Sequence, residues 1–90
     1  MQLSTNADIS DRVTALVRPF MNKRGIVRTL GPDEDLRAAG LSSLEIVTLM
    51  LSVETEFAVR IPEREMTPAN FRSIARIIGL VAGLLERPAA

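Results

Sequence analysis

Residues 43–57 contain neither glycine nor proline, and more of them are apolar than a single buried helix face requires. Such a run has few options other than a helix buried along most of its length. Ile46, Leu49, Met50, Val53 and Phe57 form one stripe at helical spacing, which is assigned to a core. Leu44, Val47 and Leu51 form a second stripe rotated away from it, beside Glu45 and Glu54. A second apolar stripe either packs on another helix or waits for a partner, and the residues alone leave both open. Ser42 and Glu45 fit the Ser-x-x-Glu capping box, so the helix starts there and Ser43 takes its first position. Free amides and the positive end of the helix dipole favour an anion at that position. Ser43 therefore has two readings, as part of a cap or as a hydroxyl able to carry a phosphodiester.

Composition narrows the function classes. Ninety residues make one small domain with no room for a separate catalytic domain. The chain has no cysteine and no histidine, which removes disulfides, thiolate nucleophiles, cysteine metal sites and the commonest general base. These losses argue against self-contained catalysis, and no metal site is expected. Eleven basic and eleven acidic residues give a formal net charge of zero, and aromatic residues are only 3% of the chain. Neither a basic surface nor an aromatic ladder is available for nucleic acid. The first residues lack the pattern of a signal peptide, and no apolar run approaches a membrane span. A cytoplasmic protein is expected.

The remaining segments also read as helices. Ile9, Val13, Leu16, Val17 and Phe20 form a helical stripe that Asp8 is placed to cap. Pro19 either kinks that helix or ends it near Arg18. From about 22 to 41 no period is sustained; Gly25, Gly31-Pro32 and Gly40 punctuate a long loop, with Ile26, Val27, Leu30 and Leu36 as its apolar pins. Asp33-Glu34-Asp35 reads as a solvated turn. Residues 58–62 form an extended exit, and 63–66 a short turn of helix. Thr67 before Pro68, or Asn70 later, caps a last helix carrying Phe71, Ile74, Ile77, Ile78, Val81 and Leu85, which ends before Pro88. Gly79 and Gly83 weaken that helix or mark a close helix–helix approach. The expected architecture is all-α: a small four-helix bundle with a long loop between helices 1 and 2 and a short third helix. Residues 1–90 form one domain, with 1–6 a flexible leader and 87–90 a flexible tail. The loop 25–40 and the turn 63–66 are expected to be the mobile parts.

Several of these residues recur together in a known order: Asp35-Leu36, Gly40-Leu41-Ser42-Ser43-Leu44, Glu54, Glu56-Phe57, Ile61-Pro62, Met66-Thr67-Pro68, Phe71 and Ile74. In this ordered set the chain resembles the acyl carrier protein family, whose members include peptidyl and aminoacyl carriers. The resemblance implies a bundle of acyl-carrier type and a protein that is not an enzyme. It implies that Ser43 accepts 4′-phosphopantetheine from coenzyme A through a phosphopantetheinyl transferase. The terminal thiol then holds an acyl or aminoacyl group as a thioester, the one piece of chemistry a cysteine-free chain lacks. Leu44, Glu45, Val47, Leu51 and Glu54 become the docking residues for partner enzymes: the transferase, an acyl- or aminoacyl-loading ligase, and downstream transferases or synthases. A monomer is expected.

The chain departs from the family in two ways. Ser42 stands where an aspartate usually precedes the modified serine, and the neutral charge, with Arg60, Arg64, Arg72 and Arg76 in the second half, contrasts with the acidic surfaces common in the family. Charge complementarity governs partner choice and on-rate. A specialised lipid, polyketide or aminoacyl pathway is therefore expected, rather than general fatty acid biosynthesis. Two other readings compete: a helical protein-interaction module in which Ser43 is only a cap, and a helix-turn-helix DNA binder, which the zero net charge disfavours.

Overall fold

A computed structural model describes residues 6–86 of the chain, and among these all regular structure is helical: α1 (Asn6–Lys23), α2 (Leu36–Ala39), α3 (Ser43–Phe57), a 3-10 turn (Glu63–Glu65) and α4 (Ile74–Glu86). The expected leader and tail lie outside the described residues, except for Asn6, with which α1 begins. The all-α, four-helix reading holds. The two short elements differ from expectation: the third is a three-residue 3-10 turn, and a four-residue helix, α2, stands inside the loop.

α1 is the hub, packing against both α3 and α4. It buries Ile9, Val13, Val17 and Met21, with Leu16 and Phe20 half-buried beside them. Asp8 does not cap it; it lies in the first turn, where its charge complements the helix dipole. Pro19 does not end the helix. It is exposed, as is Ala15, whose carbonyl it leaves without an intrahelical donor, so water can serve that group while the opposite face stays packed. The helix stops at Gly25, whose φ of +72° admits a Schellman closure: Gly25 N–H donates to Asn22 O at 3.0 Å and Ile26 N–H to Met21 O at 2.9 Å.

The loop that follows is pinned, though not by all the residues expected. Leu36 is fully buried, Ile26 and Leu30 are half-buried, and Val27 is 95% exposed because its side chain points away from the core. The acidic run is not simply a solvated turn. Glu34 pairs with Arg28 and accepts from Gly31 N–H, which pulls its carboxyl down to about 2. Asp35 caps α2, accepting from Arg37 N–H at 2.8 Å and Ala38 N–H at 3.2 Å, and these amides, Ala38 first, hold its pKa below the usual range.

The last helix starts later than either Thr67 or Asn70 would place it. Residues 67–73 form turns, and the buried Ser73 accepts from Arg76 N–H to open α4. Leu36 N–H donates to Arg72 O and Ala75 N–H to Pro32 O, both at 2.8 Å, so the loop and the approach to α4 fix each other. Phe71 precedes the helix instead of lying on it, yet it is one of the largest fully buried side chains. A Cβ added at Gly79 or Gly83 would meet nothing within 4 Å, so neither marks a close helix approach.

Candidate functional site

The start of α3 is built by the residues just before it. Gly40 closes α2 with φ +128°, a conformation that strains any side chain, while its N–H reaches the Leu36 and Arg37 carbonyls. Leu41 is buried and its N–H donates to Leu36 O at 3.0 Å, which fixes the direction in which the chain enters α3. Ser42 then adopts an extended conformation as the N-cap. Its hydroxyl accepts from Glu45 N–H at 3.1 Å, and Glu45 Oε1 accepts from Ser42 N–H at 2.9 Å, completing the expected capping box.

The box separates the roles of the two serines. Ser42 spends its hydroxyl on the cap. Ser43, the first helical residue, is exposed, and among the described residues its hydroxyl has no hydrogen-bond partner. The first-turn amides of Ser43 and Leu44 have no intrahelical acceptor by the geometry of a helix. An anion attached to the Ser43 oxygen therefore meets free N–H donors and the positive dipole end. These features fit a phosphodiester.

Arg24, from the turn after α1, donates to Glu45 Oε1 at 2.6 Å. The Glu45 carboxyl is held below its ordinary range first by the Ser42 N–H and then by Arg24. The guanidinium also offsets the negative charge the box places beside Ser43. Nothing in the sequence pairs residues 24 and 45, and Arg24 emerges only from the fold.

The candidate docking residues divide into two groups. Leu44, Val47 and Leu51 are 75%, 48% and 55% exposed, so the second stripe is not consumed by packing. Glu45 is mostly turned inward, its side chain 14% exposed. Glu54 accepts from the buried Ile61 N–H at 2.8 Å, tying the segment that leaves α3 back to the helix after the left-handed turn at Ala58. Beside Leu51 lies a shallow groove of about 380 Å³ between α1 and α3, lined by Leu16, Thr48, Leu51, Ser52, Thr55 and Glu56.

The family described as "Phosphopantetheine attachment site" matches residues 11–81. The chain is 35% identical over 81 residues to aminoacyl carrier protein 1 of Bradyrhizobium diazoefficiens, covering 90% of each. It is 39% identical over 71 residues to aminoacyl carrier protein 2 of the same organism, covering 79% of this chain and 80% of that one. It is 35% identical over 78 residues to the aminoacyl carrier protein of Agrobacterium fabrum, covering 82% and 94%. No solved structure matches the chain at a significant level. A helical bundle presenting an unencumbered serine at a capped helix start agrees with these similarities, and the chain belongs to the acyl carrier protein family, as a non-catalytic carrier with a phosphopantetheine attachment site.

Proposed function

We propose that Ser43 is the attachment residue and that the protein carries aminoacyl groups as thioesters for a specialised pathway in the cytoplasm. The observation that carries the assignment is the capping box, which occupies the Ser42 hydroxyl and leaves that of Ser43 exposed. 4′-Phosphopantetheine, when attached, supplies a thiol to a chain that has none of its own. Ser43 holds the phosphodiester at the helix start, the first-turn amides compensate its charge, and Arg24 keeps the Glu45 carboxylate engaged. Leu44, Val47 and Leu51 dock the transferase, the loading ligase and downstream enzymes, while Glu45 and Glu54 at the margins of the strip hold the helix in place. The relatives named aminoacyl carrier proteins support an aminoacyl cargo, and the neutral net charge supports partners other than those of general fatty acid synthesis.

Incubation with coenzyme A and a broad-specificity phosphopantetheinyl transferase, read by intact mass, tests the assignment. One adduct is expected on the wild type and on Ser42→Ala, and none on Ser43→Ala. Because the chain contains no cysteine, the modified protein should titrate one thiol and the unmodified protein none. An adduct that persists in Ser43→Ala and disappears in Ser42→Ala would move the site by one residue.

A further inference from the structure

The charges of this neutral chain are not evenly spread. Between Asp11 and Asp33 stand Arg12, Arg18, Lys23, Arg24 and Arg28 and no acid. Three of these cations are spent within the fold: Arg12 on Glu56, Arg24 on Glu45 and Arg28 on Glu34. Arg18 is exposed and, among the described residues, has no acid partner. It stands at a hollow of about 360 Å³ between the second half of α1, the loop after it and the first residue of α4. Val17, Met21, Ile26, Leu30 and Ile74 give the hollow an apolar lining, and its described lining residues include two arginines and no acid.

The loop wall of the hollow is held only at its ends. Ile26 N–H donates to Met21 O at 2.9 Å and Gly31 N–H to Glu34 Oε1 at 3.1 Å, while among the described residues the backbone of 27–30 makes no hydrogen bond. Val27, on this span, is 95% exposed and forms an apolar lip on the hollow.

We propose that this hollow binds a free amphiphilic carboxylate, with its head at Arg18 and its chain over the apolar lining. The site goes beyond the carrier reading and uses no residue of the Ser43 site. Polarity chooses the occupant: an apolar lining beside an unspent guanidinium suits a chain that ends in an anion. An aminoacyl thioester on the arm carries an ammonium, which two arginines repel, and no carboxylate, so tethered cargo is the poorer fit. The volume is near the lower end of the range for ligand pockets, about 300–1,000 Å³, which limits the occupant to a short chain. The unbonded span 27–30 gives Val27 the freedom to fold over that chain.

The test is a titration of the full unmodified chain at pH 7 with octanoate, 1-octanol and octylammonium, followed by amide NMR shifts. Octanoate should bind saturably at one site with a Kd below about 1 mM, ordinary for a ligand of about ten heavy atoms. The amides of 26–30 should move most. Octanol should bind about three- to fivefold more weakly, the range expected for an exposed ion pair, and octylammonium more weakly still. Arg18→Gln should weaken octanoate by a similar factor, leave octanol unchanged, and reduce the loss of octanoate affinity between about 0.05 and 0.5 M potassium chloride. Val27→Asp, which removes the lip and adds a like charge, should weaken octanoate at least as much. Both residues are exposed, so thermal melts of the two variants should match the wild type. Ser43→Ala should bind octanoate as the wild type does, which separates this inference from the carrier reading. Titration without saturation, equal affinity for octanoate and octylammonium, an unchanged affinity in Arg18→Gln, or shifts centred on residues 44–51 would overturn the inference while leaving the carrier reading intact.

Discussion

The two apolar stripes of α3 meet opposite fates. On one, Ile46, Leu49, Met50, Val53 and Phe57 are buried against the bundle; on the other, Leu44, Val47 and Leu51 stand in solvent. Burying a leucine-sized side chain stabilises a fold by about 1.5–3 kcal/mol. The exposed leucines forgo that gain. Between the two faces, at the helix start, sit the capping serine and the free one.

The largest expected effect separates the faces by stability. Leu49 is fully buried, so Leu49→Ala should cost about 2–5 kcal/mol in chemical denaturation. Leu44→Ala should stay within about 0.5 kcal/mol of the wild type. Equal losses from both would mean that Leu44 packs in solution and that the faces do not differ as described.

A smaller effect separates the two serines. Ser42→Ala removes the acceptor for Glu45 N–H and should cost about 1 kcal/mol. Ser43→Ala leaves the box intact and should change stability by only a few tenths of a kcal/mol. A destabilisation by Ser43→Ala as large as that by Ser42→Ala would show that the Ser43 hydroxyl is part of the fold.

The smallest effect concerns acid. The folded Glu45 carboxyl titrates below its ordinary range, held first by Ser42 N–H and then by Arg24. The unfolded chain therefore takes up this proton first as pH falls. The stabilisation is fully present above roughly pH 4.3 and is lost as pH drops through the lowered value. Glu45→Gln keeps an acceptor for Ser42 N–H but removes the titration. Its melting temperature should fall less steeply than that of the wild type as pH drops below about 4.3. Identical pH profiles would mean that the box carboxylate contributes nothing that depends on its charge.

Much of this site is legible in the order of its residues. The capping box joins residues three apart, and the core stripe of α3 repeats with the helical period; both are local rules that act on neighbours in sequence. Other features are not legible there because their causes lie far along the chain. Asp35 is the exception: its bonds reach only Arg37 and Ala38, but a four-residue helix sustains no period that would mark it, so it reads as part of an acidic turn. The delayed start of α4 depends on bonds from Leu36 and Ala75 across to Arg72 and Pro32. Pro19 reads as able to break α1; its position on the exposed face, which the packing of Val17 and Met21 sets, lets the helix continue.

The sequence by itself determined the helix start at Ser42, the placement of Ser43 in its first turn, and the two apolar stripes of α3, because each follows from side chains within one or two turns of each other. Only the tertiary structure decided which stripe would be covered and which carboxylates would be free. Arg24 lies 21 residues from Glu45 and Arg12 lies 44 from Glu56, and chain folding alone brings those charges together. That pairing left α3 an outward surface of leucine and valine beside an exposed serine.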